Sequence, residues 1–176
     1  MSEKRKGILK LVILAVLLAG AQILLKEDGK VFAIWWLAVL LLGWCSFPLC
    51  QYLFSGFRDT GYLVAKIFGI ASAGFLMWLG AATGIVPFTA GSCLGSVAVF
   101  AVICWGVWIT LNKKKNKDRK FWQFTGEWYQ TALDDELVFT LLFLLWTYVA
   151  GFRPAAYGTE KFMDYGFMMA MMRSTT

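Results

Sequence analysis

The sequence contains no histidine, which excludes a histidine-based triad, a histidine-containing metal site and an imidazole proton relay within this chain. Acid–base chemistry then falls to carboxylates, lysines or tyrosines. The stretch that gathers them is "GTEKFMDYGFM", residues 158–168. Gly158 and Thr159 read as a turn and a helix N-cap, and the residues that follow as a short surface helix. On such a helix Glu160 and Asp164 are i and i+4, so their carboxylates share a face, and Lys161 is three residues from Asp164 and can pair with it. Two acids and a base therefore converge on one turn. The same spacing also suits the solvated face of a helix whose Phe162, Tyr165, Met169 and Met172 face lipid.

Whatever positions this turn is a membrane structure. Hydrophobic residues make up 59% of the chain, aromatics 17%, and the mean hydropathy is +0.63, leaving too little polar surface to coat a soluble domain of 176 residues. Apolar runs long enough to cross a bilayer core fall at about 8–25, 31–54, 62–84, 92–111 and 136–152. Each must be helical, because a lipid-exposed strand would leave its backbone groups unpaired. The first run begins after the basic "EKRK" and holds a small-residue "AGA", so a cleaved signal peptide competes with an uncleaved span; the apolar run through Ile23, Leu24 and Leu25 favours the span. The expectation is an all-α, polytopic integral membrane helical bundle. It has about five transmembrane helices and a C-terminal juxtamembrane amphipathic helix, as a single membrane domain over 1–176.

Charge sets the orientation. The net charge of +6 is a topology signal rather than a nucleic-acid footprint, because Lys113, Lys114, Lys115, Lys117, Arg119 and Lys120 all fall in one inter-helix loop. With the N-terminus inside, twelve basic residues collect on the inner side: Lys4, Arg5, Lys6, Lys10, Arg58, Lys66 and that cluster of six. Five remain outside: Lys26, Lys30, Arg153, Lys161 and Arg173. The chain is thus expected to be multi-pass in the cell membrane, with a cytoplasmic N-terminus, an inner loop over 112–135 and an extracytoplasmic motif over 153–176. Within that loop, Phe121, Phe124, Trp128 and Thr131 or Ala132 form one helical stripe, which suits either a helix lying in the interface or an aromatic belt.

Local features fit this outline. Asp59 and Thr60 can cap the third span, and Asp134, Asp135 and Glu136 can sit at the positive end of the fifth. Pro48 suggests a kink near the inner end of the second. Gly80 and Gly84, and Gly91 and Gly95, have the small-xxx-small spacing that permits close helix approach, though such matches are frequent in membrane sequences. Cys45, Cys50, Cys93 and Cys104 lie in or beside apolar runs without disulfide or zinc spacing and read as small core residues. No Gly-rich phosphate loop or metal-binding cysteine cluster is present. No acid lies in the middle of any span, which argues against a proton-coupled transporter or ion channel.

Two segments carry a family resemblance. "RDTGYLVAKIFGIASAGFLMWLGAATGIVPFTAGSC" (58–93) and "GFRPAAYGTEKFMDYGFMMAMMRST" (151–175) resemble, in order, two motif stretches of the bacterial and archaeal YYY-type membrane proteins. The second follows that family's G-T-E-K-x-M-D pattern, with Arg153 where Asn is usual, Phe162 where Pro is common and Met169 where Asn is usual. Family members continue past the R-S stretch with a Pro-rich outer loop, a tyrosine-rich motif and more spans. The resemblance therefore implies that this chain is the N-terminal portion of a larger membrane protein. The family's layout is similar to polytopic glycosyltransferases of the C type, which use a polyprenyl-phosphate-linked sugar as donor. By that analogy Asp164 is the general base, Glu160 positions the acceptor or a divalent metal ion, and Arg153, Lys161 or Arg173 neutralises the donor phosphate. The implied partners are the lipid bilayer and the remainder of a larger membrane protein, with no nucleic acid. The alternative is a non-catalytic membrane assembly module or a truncated remnant, built of spans whose Gly, Ala, Ser and Thr residues pack on other helices.

Overall fold

Apolar runs of this length must satisfy their backbone groups internally, and the chain does so with helices throughout. The computed structural model describes residues 3–114, 125–152 and 161–173. Its helices are α1 (Glu3–Leu25), α2 (Gly29–Leu53), α3 (Tyr62–Ala82), α4 (Ala90–Lys114), α5 (Gly126–Gly151) and α6 (Lys161–Arg173), with no strand among the described residues. The protein is an all-α membrane helical bundle. Among the described residues three helical stretches, Lys4–Leu53, Tyr62–Ala82 and Ala90–Leu111, are long and apolar enough to cross a membrane. Large side chains such as Ile67, Val102 and Trp146 stay more than two-thirds exposed, as a lipid-facing surface requires.

Lys4–Leu53 is 50 residues, which as one helix would be about 75 Å long against a hydrocarbon core of about 30 Å. A 3-10 turn over Lys26–Asp28 folds it into a hairpin. Lys26 takes a positive φ of 52° there, and Gln22 Nε2 donates to the Gly29 carbonyl across the turn at 2.8 Å. Side-chain partners set the directions. Lys10 Nζ meets Asp134 Oδ1 at 2.7 Å and the Gln130 carbonyl at 3.0 Å near the start of α5, so α1 runs parallel to α5. Phe32 stacks on Phe143, Trp36 Nε1 donates to Thr140 Oγ1 at 2.9 Å, and Phe47 meets Trp128, so α2 runs antiparallel to α5.

The close approach of backbones occurs between α2 and α3. A Cβ at Gly69 would overlap the Leu42 carbonyl, and one at Gly43 would lie 3.0 Å from Lys66 Cγ. Beside them Ser46 Oγ donates to the Ala65 carbonyl at 2.5 Å. These are not the glycines that motif spacing singles out: a Cβ at Gly84 or Gly95 would meet nothing within 4 Å, and Gly80 faces only Val86 of its own turn. Helix α4 returns antiparallel along α3, with Phe100 against Phe68 and Ser96 Oγ bonded to the Ala73 carbonyl at 3.4 Å. The starts of α1, α3 and α5 and the ends of α2 and α4 thus share one end of the bundle.

Two expectations need correction at that end. Helix α4 runs on through Lys114, and α5 starts at Gly126, ten residues before the apolar run at 136. Thr125 caps α5, its side chain accepting from the Trp128 N–H at 3.2 Å, so Asp134, Asp135 and Glu136 lie inside the helix rather than in its first turn. Trp128 and Ala132 do not form an exposed stripe either. They are buried in a core with Phe47, Cys50, Tyr62 and Ala65. Phe121 and Phe124 of the expected stripe lie outside the described residues.

Candidate functional site

The helix expected after Gly158 is present. α6 carries Lys161, Asp164 and Arg173, with positions 161 and 164 three apart and hence neighbours on the helix surface. Arg173 is exposed in its last turn, where a cation complements the helix dipole, and Tyr165, Phe167 and Met168 are exposed along it. Glu160 and Arg153 lie outside the described residues. The helix therefore joins three of the five expected residues on one element.

A second polar constellation is buried where α3 meets α5. It starts with the α2–α3 loop. Asp59 accepts from the Gly61 N–H at 3.1 Å and from the Leu63 N–H at 3.0 Å, which caps α3 in the way its sequence suggests. Gly61 takes a φ of +81° against the Phe54 side chain, where a Cβ would lie 2.9 Å from Phe54 Cβ, so both conformation and space call for glycine. Trp128 Nε1 anchors the loop to α5 by donating to the Asp59 carbonyl at 3.1 Å and to Thr60 Oγ1 at 3.0 Å. With α3 aimed this way, Tyr62 and Lys66, i and i+4, present one face to α5.

Both reach Glu136 on the same oxygen. Lys66 Nζ is 2.6 Å from Glu136 Oε2, and the Tyr62 hydroxyl donates to that oxygen at 2.8 Å. The ammonium also lies 5.1 Å from the Tyr62 ring centroid and 4.7 Å from that of Phe139, within cation–π range. Lys66 is 2% exposed and Glu136 4%. Glu136 Oε1 and Asp135 Oδ2 are buried without a hydrogen-bond partner among the described residues. Between α3 and α5 a groove of about 370 Å³ has Lys66 in its lining and Ile67, Phe139, Leu142 and Trp146 among its apolar walls. Chemically the constellation is a tether. It neutralises the one cation that α3 carries and holds α3 and α5 together by a charge-assisted bond sheltered from solvent.

Sequence reasoning assigned Lys66 to the inner-side positive charge and Glu136 to a helix dipole, and it missed their contact. The available signal was "LVAKIFG", a lysine enclosed by apolar residues within a span, which calls for a buried partner. Among the described residues there is no group of three or more cysteines, aspartates and glutamates placed to hold a metal ion, and the four cysteines are free thiols.

The long apolar helices, their exposed apolar faces and the buried Lys66–Glu136 tether define a polytopic helical membrane protein. Residues 72–176 match the model of the family described as an uncharacterised membrane protein (DUF2298), and the chain belongs to that family. The matched region begins inside α3 and includes Glu136 and all five residues of the expected acid motif, whereas Tyr62 and Lys66 precede it. Comparison with curated proteins and with solved structures gives no match.

Proposed function

We propose that the chain supplies the acid-bearing outer helix of a membrane glycosyltransferase of the C type that takes its sugar from a polyprenyl-phosphate donor. The observation that carries the reading is α6 itself: a helix that follows α5 and bears Lys161, Asp164 and Arg173 in one stretch. In this reading the Asp164 carboxylate takes the proton of an acceptor hydroxyl. The hydroxyl oxygen then bonds to the anomeric carbon, and the donor phosphate leaves with the electron pair of the broken C–O bond. Arg153, Lys161 or Arg173 neutralises the charge that develops on that phosphate, and Glu160 positions the acceptor.

One acidic helix cannot by itself hold a lipid donor or exclude water. The isolated chain is therefore inactive in this reading, and activity belongs to the membranes of cells that carry the gene. Those membranes should transfer label from a polyprenyl-phosphate sugar to hydroxyl acceptors and lose this on deletion of the gene. Transfer unchanged by deletion would favour a non-catalytic assembly module, and turnover by the purified chain would remove the claim that it is inactive alone.

The reading needs α6 on the outer side of the cell membrane. Its support is the shared bundle end: the starts of α1 and α3 and the end of α4 lie where the sequence concentrates its lysines and arginines. Reporter fusions should find Asn116 cytoplasmic and Thr176 outside. A cytoplasmic reporter at Thr176 would put the acid motif on the wrong side for this chemistry.

A further inference from the structure

A groove between α1 and α5 lies at the basic end of the bundle, away from the acid motif and unused by the reading above. It measures about 390 Å³, with Ile8, Leu11, Leu133 and the ring of Tyr129 as apolar walls and Lys4 at its rim. Two glycines open it. Gly7 leaves room where a Cβ would come within 3.2 Å of Gln130 Nε2, and a Cβ at Gly126 would meet nothing within 4 Å.

The chemistry changes along the groove. Lys4 and Arg5 are exposed in the first turns of α1, while Ile8 and Leu11, one and two turns further on, are the exposed start of its apolar run. From Lys4 to Leu11 the helix rises about 10 Å, the step from headgroup level into the acyl region. The two helix starts carry Lys4, Arg5 and Lys6 against Glu3 and Glu127, an excess of one positive charge. Asp134 is already paired with Lys10 at 2.7 Å, leaving Glu3 and Glu127 as the acids of the two helix starts.

We propose that this groove binds one anionic bilayer phospholipid, its phosphate on Lys4 and an acyl chain along Ile8, Leu11 and Leu133. Charge complementarity selects this occupant. A protein helix laid in the groove would cover Lys4 without offering the phosphate that a lipid headgroup brings, and a zwitterionic lipid would bring a compensating cation beside it.

The test uses the full chain purified from membranes and returned to nanodiscs of phosphatidylcholine with phosphatidylglycerol, with native mass spectrometry reading the lipids retained. One phosphatidylglycerol should be retained in preference to phosphatidylcholine. Lys4→Gln should weaken that preference about five-fold, the effect of one basic residue at an anionic surface. Gly126→Leu fills the mouth from a position with open space and should abolish retention with helix content unchanged. Equal retention of the two lipids would overturn the proposal. So would retention that survives Gly126→Leu, since attraction by the basic end alone needs no groove. If Gly126→Leu lowers helix content, Lys4→Gln decides, and an unchanged preference for phosphatidylglycerol refutes the site.

Discussion

Asp164→Asn in the native gene is expected to abolish sugar transfer by membranes, a loss of about 10²–10⁴-fold, while the amount of inserted protein stays the same. The amide nearly matches the carboxylate in volume but cannot accept a proton at neutral pH. Position 164 lies in the first turns of α6, where Asn keeps the helix at little cost in propensity. Glu160→Gln separates the roles of the two acids. A mild loss fits a group that only orients the acceptor, whereas an equally severe one that responds to adding and chelating divalent ions fits a metal ligand. Label transfer per inserted molecule is the quantity to measure. An unaltered rate in Asp164→Asn would return Glu160, Lys161 and Asp164 to the solvated face of a surface helix.

The structure shows which parts of this protein could be read along the chain. Apolar length marked α1 to α4 to within a few residues, because lipid-spanning helices must be long and uninterrupted, and the gap between the runs ending at 25 and starting at 31 holds the Lys26–Asp28 turn. The same criterion misplaced the start of α5. "GEWYQTALDD" is polar enough to lie beyond an apolar window yet is helical, held by the Thr125 cap and by Trp128 in the core. Apolar length reports the hydrocarbon core and not the helix. The α6 helix was legible from its turn residues and spacing. Contacts between distant helices were not: Lys66 and Glu136 are 70 residues apart, and no local pattern pairs them. Gly43 has no small residue four positions away, while Gly69 lies between Ala65 and Ala73 at that spacing, so the pattern recurs at the true crossing as well as at 80–84 and 91–95 and cannot by itself tell them apart.

Breaking the Lys66–Glu136 tether should cost the bundle several kcal/mol of stability. Lys66→Met leaves the Glu136 carboxylate buried, with Tyr62 alone donating to it and Oε1 already without a donor among the described residues, at a cost of about 3–5 kcal/mol. Glu136→Leu removes the anion in contact with the ammonium and leaves it among the Tyr62 and Phe139 rings with the Asp135 carboxylate as the nearby counter-charge, at a cost no larger than that of Lys66→Met. The two losses should not add. Lys66→Met with Glu136→Leu removes both charges, and a well-packed apolar pair is often as stable as the ion pair it replaces. The double variant still strands the Tyr62 hydroxyl, a buried donor without an acceptor worth about 1–3 kcal/mol, so adding Tyr62→Phe should recover most of what remains. Reversible unfolding in mixed micelles, followed by helical circular dichroism, orders the four proteins. A double variant as damaged as the sum of the singles would mean that Lys66 and Glu136 stabilise the fold independently and that the 2.6 Å contact does not hold α3 to α5.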